Sequence, residues 1–256
     1  MKFALVNGHR QEAQPNLSGE CLGCGRPMVA KCGELRAWHW AHKGHQLCDP
    51  WWENETEWHR TWKDQFPADW QEIVQTAGDG ERHIADVRTG RDWVIEFQHS
   101  YLKPEERRSR EAFYQKLIWV VDGTRRKRDR VQLIRAWNES VPVGGNALVR
   151  KAFSDDCGLL REWAGSNAPI FLDLGERERL WWLFAKSTNG WVYLTQFPRA
   201  QFIECHRSTA TEIARHFDEF VNDIPKLIGD YESHLRAPPP KWDPLQPRGF
   251  RRSFRF

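Results

Sequence analysis

The segment HIADVRTGRDWVIEFQ, residues 83–98, decides the fold of this chain of 256 residues. His83–Arg88 and Trp93–Gln98 are rich in apolar and β-branched residues, which are typical of strands. Between them, the turn-forming residues Gly90–Asp92 leave room for a three-residue loop. The segment is therefore predicted to form a β-hairpin.

The register of this hairpin places two acidic side chains opposite each other. If Thr89 pairs with Trp93, counting outward brings Asp86 opposite Glu96. Side chains alternate along a strand, so Gln98 shares their face. Buried carboxylates are costly unless they are paired or bind a cation, and Mg²⁺ takes oxygen ligands of this kind. Asp86 and Glu96 are therefore predicted to hold Mg²⁺ or Mn²⁺ beside the Gln98 carboxamide.

The flanking sequence extends the hairpin into a compact α/β order. A helix is predicted over Trp51–Phe66 from aromatic residues spaced four apart, and Gln71–Thr76 is predicted to be a strand. Pro104 with two following glutamates indicates a helix that runs to about Lys116. The apolar run Leu117–Val121 is typical of a buried strand. The predicted order is helix, three strands, helix, strand.

Cysteines and histidines cluster near the N-terminus, where a metal site is predicted. Seven candidate ligands fall within this stretch: Cys21, Cys24, Cys32, His39, His42, His45 and Cys48. A Cys-x₂-Cys pair in a reducing compartment favours Zn²⁺ over a disulfide. Spacing favours Cys21, Cys24, His39 and His42 as the ligands, with Cys32 and Cys48 in reserve, and Gly23 or Gly25 would supply the positive φ of the turn.

Several segments in order carry a resemblance to a known family. They are CLGC at 21–24, HWAH at 39–42, ETEWH at 55–59, HIADV at 83–87, EFQHS at 96–100 and WVVDG at 119–123. Together they resemble the competence protein CoiA family, nucleases with an N-terminal zinc-ribbon-like segment. More broadly, the pattern of Asp followed by Glu-x-Gln is similar to PD-(D/E)xK nucleases, which have a restriction-endonuclease-like core.

The resemblance implies a role for each polar residue of the hairpin. Asp86 and Glu96 would bind the catalytic metal ion, and Glu57 would complete its coordination or support a ligand. Gln98 departs from the family pattern, which usually has Lys there, so a neutral group would orient the attacking water. The alternatives are that Asp86 pairs with a neighbouring arginine and that Glu57 is a solvent-facing charge.

The helix after Pro104 and three histidines complete the set of candidates. Arg107, Arg110 and Tyr114 are predicted to lie along one side of the helix, where they would contact phosphates. Solvated charge is the alternative reading for these side chains. The histidines His59, His83 and His99 are expected to have structural or surface roles.

The remaining chain is predicted to form a C-terminal α+β domain or an extension of the nuclease core. The predicted boundaries are 1–50 for the N-terminal strand and zinc segment, 51–136 for the nuclease core, 137–235 for the α+β part and 236–256 for a disordered basic tail. Within the α+β part the predictions are a connector at 142–145, a helix at 159–164, a strand at 169–175, a hairpin of 180–186 with 191–197, a strand at 201–206 and a helix at 211–228.

Composition excludes several classes of protein. With 40% hydrophobic and 29% charged residues, the chain is neither collagen-like nor wholly disordered. The net charge of +3 names no partner by itself, but residues 103–135 carry +6 and residues 236–256 carry +5. No apolar run approaches the roughly 18 residues of a membrane helix, and no signal-peptide core is evident, so a cytoplasmic location is expected.

The sequence therefore predicts an Mg²⁺- or Mn²⁺-dependent nuclease that hydrolyses DNA and carries structural Zn²⁺. DNA uptake, recombination, repair and defence against foreign DNA are the open biological settings. A DNA-binding protein of the same fold without catalysis and an RNA-processing nuclease are the alternatives. A protein partner could dock on the C-terminal part, no membrane partner is expected, and the sequence does not specify an oligomeric state.

Overall fold

The computed structural model describes residues 1–34, 37–44, 48–51, 53, 55–143, 146–184, 189–208 and 212–236. Within these ranges it contains two sheets and six α-helices, so the α/β class predicted from the sequence is confirmed. Among the helices of the described ranges, none combines the length and the apolar character that crossing a membrane requires. Of the predicted basic tail, residues 236–256, only Arg236 is among the described residues.

Five short strands precede the core, more than the single N-terminal strand expected from the sequence. They are β1 (Phe3–Val6), β2 (His9–Glu12), β3 (Ser18–Glu20), β4 (Pro27–Lys31) and β5 (His39–His42). They form an antiparallel sheet in the order β2-β1-β3-β4-β5. Met28 on β4 and Trp40 on β5 are fully buried and belong to a small core of this sheet.

The central elements follow the predicted order of helix, three strands, helix, strand. They are α1 (Glu57–Lys63), β6 (Gln71–Thr76), β7 (Arg82–Arg88), β8 (Val94–Gln98), α2 (Pro104–Phe113) and β9 (Leu117–Asp122). Helix α1 starts later than predicted because Thr56 caps it: its hydroxyl accepts the His59 N–H, and its own N–H donates to His59 Nδ1. Such a cap contributes about 1 kcal/mol.

The second half of the chain continues the same sheet across the predicted boundary at 136/137. Its elements are α3 (Asp129–Glu139), β10 (Val141–Val143), β11 (Asn146–Phe153), α4 (Gly158–Trp163), β12 (Ile170–Asp173), β13 (Arg179–Leu183), β14 (Trp191–Pro198), α5 (Arg199–Arg207) and α6 (Glu212–Arg236). Strand β12 pairs in parallel with β9, which gives a nine-stranded sheet in the order β10-β11-β14-β13-β12-β9-β8-β7-β6. The C-terminal part is therefore an extension of the core sheet.

Both faces of this sheet are covered, which explains the continuous apolar run of β9. Trp119 and Val121 point to the face covered by α3 and α4, whereas Ile118 and Val120 point to the face covered by α1, α5 and α6. All four side chains are completely buried. A strand in such a position cannot show polar alternation, because neither face meets water.

Three predictions for the second half are wrong. Residues 201–206 are helical, because Phe202, Cys205 and His206 recur with the helical period and bury one face against the core. The expected connector at 142–145 contains the end of β10, with 144–145 outside the described residues. The last helix extends to Arg236 despite Pro225 in its interior.

Candidate metal and acidic site

Three cysteines and one histidine converge beside the N-terminal sheet. The ligand atoms of Cys21, Cys24, His42 and Cys48 all lie within 4.8 Å of one another. Cys21 Sγ is 3.6 Å from Cys48 Sγ, and Cys24 Sγ is 3.3 Å from His42 Nε2. Gly25, with φ +69°, closes the turn that folds the two nearer cysteines together. This group could bind zinc, as the sequence predicted for this segment.

The sequence assigned one ligand of this group wrongly. His39 lies outside the group and Cys48 takes the fourth place. HWAH forms strand β5, and residues three apart on a strand point to opposite faces, so His39 and His42 cannot bind one ion. Cys32 also lies outside the group, and His45 lies outside the described residues.

Two of the three cysteines are disfavoured in the charged form when no cation is present. Burial raises the pKa of the Cys21 thiol. Burial and the neighbouring Cys21 raise the pKa of the Cys48 thiol well above its usual range. Three thiolates can share so small a volume only if a cation offsets their charge, and a closed Cys₃His set is a common structural Zn²⁺ environment.

A second cluster forms where the β7–β8 ladder ends. The ladder pairs Val87 with Ile95, which places Asp86 opposite Glu96 as the hairpin register predicted. Beyond the Val87–Ile95 pair, the two carboxylates accept hydrogen bonds from backbone N–H groups. Asp86 N–H donates to Glu96 Oε1 at 3.3 Å, and Phe97 N–H donates to Asp86 Oδ2 at 3.0 Å. The two carboxylates thus face each other at an opening in the sheet.

Lys63, on α1, faces three of the carboxylates in this cluster. Its Nζ lies 3.1 Å from Asp86 Oδ1, 3.1 Å from Glu72 Oε1 and 3.3 Å from Glu55 Oε1. The Lys63 side chain is 5% exposed. Burial disfavours its charge, but Asp86, Glu72 and Glu55 outweigh burial and raise the pKa of Lys63 above its ordinary value. The ammonium is therefore held in its charged form.

Glu96 is paired with Arg110, which projects from α2. Arg110 Nη1 lies 3.1 Å from Glu96 Oε2, and Arg110 Nη2 donates to the carbonyl oxygen of Trp51 at 2.8 Å. Burial and the charge of Asp86 nevertheless raise the pKa of Glu96 to about 8. A carboxyl with such a pKa is readily ionised by an added cation, since a second positive charge stabilises the carboxylate.

Gln98 lines the same cavity, but its amide group is already engaged. Its Nε2 donates to Glu53 Oε1 and to the carbonyl oxygen of Ser100 at 3.2 Å. Ser100 Oγ also donates to Glu53 Oε1, at 2.6 Å. In this arrangement Gln98 holds Glu53 in the cavity.

Glu72 ties the acidic cluster to the N-terminal sheet. It occupies the left-handed region at φ +47° within β6, between the paired residues Gln71 and Ile73. Its carboxylate accepts the backbone N–H groups of Lys2 and Phe3 at 2.6 and 2.9 Å. Burial opposes its ionisation, but Lys63 and these donors lower the pKa of Glu72 to about 2.

One cavity of about 400 Å³ is lined by both clusters. His42 and Cys48 lie at one end, and Asp86, Glu96 and Gln98 lie in its wall. Directly after Cys48, the buried Asp49 accepts the backbone N–H of β7 at Ile84, at 2.9 Å. Asp49 therefore links Cys48 of the Cys₃His group to β7, and Glu53 and Glu55, shortly after it in the chain, also line the cavity.

Three side chains predicted for the site differ in position or contacts from the prediction: Glu57, Arg107 and Tyr114. Glu57 is exposed, because it precedes the inward-facing His59 by two residues, about 200° around the helix. Arg107 faces the opposite way and donates to the carbonyl oxygen of Glu162 at 2.7 Å. Tyr114 lines the cavity but lies just beyond the end of α2, buried, with no partner for its hydroxyl among the described residues.

Sequence reasoning missed Lys63, Glu53, Glu55 and His59 as cavity residues. A signal for two of them exists: His59 and Lys63 are four residues apart and share a face of α1 with the buried Trp62 nearby. The Glu53 and Glu55 contacts depend on the path of an irregular segment, which no periodicity predicts. Asp86 pairs with Lys63 rather than with either neighbouring arginine: Arg88 pairs with Asp92, and Arg82 donates to the carbonyl oxygen of Gly23.

Comparison of the chain with protein-family models, with curated proteins and with solved structures found no match.

Proposed function

We propose that the protein is a metal-dependent nuclease that hydrolyses DNA phosphodiester bonds, with the cavity around Asp86 and Glu96 as its active site. The observation that carries the proposal is the convergence of Asp86, Glu96 and Gln98 in one wall of a cavity, at the sheet opening, beside a buried lysine. The resemblance of the ordered motifs to CoiA-like PD-(D/E)xK nucleases supports the same assignment.

The donor set of the cavity fits a hard divalent cation. Six acidic side chains line it against the permanent positive charges of the Lys63 and Arg110 side chains, and oxygen donors are the ligands that Mg²⁺ and Mn²⁺ prefer. Asp86 and Glu96 would hold the ion. When bound, such an ion polarises a phosphate oxygen and makes water a better nucleophile.

The chain's own residues supply the rest of the proposed chemistry. Lys63, fixed by three carboxylates, is a positive charge that can stabilise the extra negative charge of the attacked phosphate. His59 accepts the Thr56 N–H at Nδ1, so its neutral ring carries its hydrogen on Nε2, 3.7 Å from Glu53 Oε2. It can therefore donate a hydrogen bond within the cavity without a change of charge.

One observation favours a second candidate, a DNA-binding protein of this fold without catalysis. The proposed metal ligands are already ion-paired, Asp86 with Lys63 and Glu96 with Arg110. Ion pairs of this kind can satisfy buried carboxylates without any metal. In that case the molecule would bind nucleic acid and leave it intact.

The test is incubation of the purified protein with duplex DNA, single-stranded DNA and RNA, each with Mg²⁺, with Mn²⁺ and without either ion. Zinc content is measured in parallel, so that loss of zinc is not mistaken for loss of the catalytic ion. DNA cleavage that requires Mg²⁺ or Mn²⁺ at constant zinc content supports the proposal. Binding without cleavage under all conditions favours the second candidate, and cleavage of RNA alone assigns an RNA-processing nuclease.

A further inference from the structure

His99 and Asp122 form a hydrogen-bonded pair at the carboxyl ends of the neighbouring strands β8 and β9. His99 Nδ1 lies 2.7 Å from Asp122 Oδ2. The Asp122 side chain is 3% exposed, and its other oxygen accepts both the N–H and the hydroxyl of Thr124, each at 2.7 Å. Because two hydrogen bonds from Thr124 hold the carboxylate in place, the carboxylate fixes the orientation of the imidazole ring.

The other nitrogen of this ring is available to a ligand. Among the described residues, none hydrogen-bonds to His99 Nε2, and the His99 side chain is 38% exposed. Its ring centroid lies 5.9 Å from that of His59, which lines the acidic cavity, and 6.2 Å from that of Trp58. His99 therefore stands beside the cavity with one nitrogen oriented and one nitrogen unused.

The other histidines near the cavity lack this combination of a hydrogen-bonded carboxylate and an unused nitrogen. Both nitrogens of His83 are engaged, with Asp49 at 2.9 Å and with Glu81 at 2.9 Å. His42 belongs to the Cys₃His group, and His59 Nδ1 accepts a hydrogen bond within its own helix cap. In the described part of the chain, His99 is thus the histidine beside the cavity that combines a carboxylate partner with an unoccupied nitrogen.

We infer that His99, positioned by Asp122, donates the proton that the leaving oxygen of the DNA strand requires; this inference rests on the proposed nuclease function. The oxygen of water forms a bond to phosphorus, the bond from phosphorus to O3′ breaks with its electron pair on O3′, and His99 Nε2–H protonates O3′. The proton lost by the attacking water passes to solvent, from which Nε2 is reprotonated. The products are a 3′-hydroxyl and a 5′-phosphate.

A lysine or arginine side chain that is already ion-paired with carboxylates is poorly suited to donate the proton to O3′. Lys63 and Arg110 are buried and ion-paired, so transferring a proton from either would leave ionised carboxylates without a partner. An imidazole exchanges its proton near neutral pH and keeps its orientation through Nδ1. Asp122 acts on the substrate only through His99 and is a positioning residue.

The experiment compares two substrates that differ in the leaving atom. One is a duplex with a natural scissile phosphate, and the other carries sulfur in place of O3′, a leaving group that needs no proton. Cleavage by the wild-type protein, His99→Gln and Asp122→Asn is measured in Mn²⁺. The His99→Gln variant should cleave natural DNA about 100-fold or more slowly than wild type, which is the usual contribution of a general acid. The same variant should cleave the sulfur substrate at close to the wild-type rate. Asp122→Asn should show a smaller loss with the same rescue.

Controls separate this role from a structural one. His216→Gln removes an exposed histidine that also faces a carboxylate, Glu212 at 4.0 Å, and should cut both substrates at the wild-type rate. Binding of uncut DNA, measured by fluorescence anisotropy without divalent ions, should be the same for wild type and His99→Gln. Equal slowing of both substrates by His99→Gln, or no slowing of either, would overturn the inference. A wild-type protein that cuts neither substrate overturns the proposed function, and the inference with it.

Discussion

Lys63 holds the acidic cavity together at the scale of single residues. One buried ammonium faces Glu55, Glu72 and Asp86 at 3.1 to 3.3 Å. Removing one partner of a buried charge network leaves the others uncompensated, which costs about 3–5 kcal/mol. Lys63→Met should therefore lower the free energy of unfolding by about that amount in urea denaturation without divalent ions.

Two urea denaturation measurements serve as controls for Lys63→Met: one with added Mg²⁺, and one on a variant that breaks an exposed ion pair. Mg²⁺ should restore part of the lost stability, because it supplies positive charge to the same carboxylates. Arg135→Met, which breaks the exposed pair with Glu139, should leave the urea midpoint unchanged. A Lys63→Met protein as stable as wild type would show that the cavity carboxylates do not depend on this lysine.

His206, which does not line the cavity, makes the protein sensitive to acid. It packs against Phe202 and Phe217, and neither ring nitrogen has a partner among the described residues. Burial, with a contribution from Arg91, lowers the pKa of His206 to about 3 from an ordinary value of 6.5. Between those pH values the unfolded chain binds more protons, so the free energy of unfolding falls as pH drops from 6.5 towards 3.

His206→Leu should remove this contribution to the pH dependence. The slope lost is at most about 1.4 kcal/mol per pH unit, the value for one proton. Stability at pH 7 should be unchanged or higher, because the substitution also removes buried polar atoms without partners. Urea unfolding across pH 4 to 7 measures both quantities, and an unchanged slope in His206→Leu would contradict the assignment.

Individual site residues were predictable where a local rule fixed their position. The three-residue loop set the hairpin register, and the register alone brought Asp86 opposite Glu96. No local rule relates Glu53 or Lys63 to that hairpin, because their contacts span an irregular segment and a helix packed on the sheet. A lysine among charged neighbours on a short helix is usually solvent-facing, and this one is buried only because three carboxylates surround it.

At the scale of elements, strand β5 decides which histidine joins the cysteine group that could bind zinc. Its alternation turns His42 towards the cysteines and His39 away from them. Zinc content per chain, measured by mass spectrometry, should therefore be one in the wild type and in His39→Ala, and close to zero in Cys48→Ala. Zinc retained by Cys48→Ala and lost from His39→Ala would restore the ligand set that spacing alone suggested.

Elements of the core were predictable to within a few residues, and errors concentrate where packing overrides pattern. The apolar run of β9 and the proline start of α2 are local signals that the fold respects. Residues 201–206 contain apolar side chains compatible with either a strand or a helix. Only the burial of Phe202, Cys205 and His206 along one face selects the helix.

At the scale of the whole molecule, the site is built from several parts of the chain, and the sheet that carries it continues into the C-terminal half. The Cys₃His group, Glu72 and the hairpin all border one cavity, and Asp49, next to Cys48, accepts a hydrogen bond from β7. The extension of the sheet through β12 could not be predicted from local pattern, because parallel pairing with β9 joins residues about fifty positions apart. Such long-range pairing has no signature in a window of sequence.

The basic tail is expected to increase the salt dependence of DNA binding by the whole molecule. Residues 236–256 contain six basic residues and one acidic residue. If these contact phosphates, removing them reduces counterion release, and the slope of log affinity against log salt should become shallower by up to about 5. Anisotropy titrations over a range of salt compare the full chain, a chain truncated after Leu235, and a chain of full length with glutamines at those basic positions. An equal slope in all three would show that the tail does not contact DNA.

Cleavage of a labelled DNA duplex by Asp86→Asn and Glu96→Gln in Mg²⁺ tests the central claim most directly. Both variants should lose cleavage by about 100-fold or more, because each removes a charged ligand from the proposed metal site, while DNA binding stays close to wild type. Glu105→Gln, which changes an exposed carboxylate on α2, serves as the matched control and should cut normally. If the wild-type protein cuts DNA and both site variants cut it at the same rate, the active site is not in this cavity.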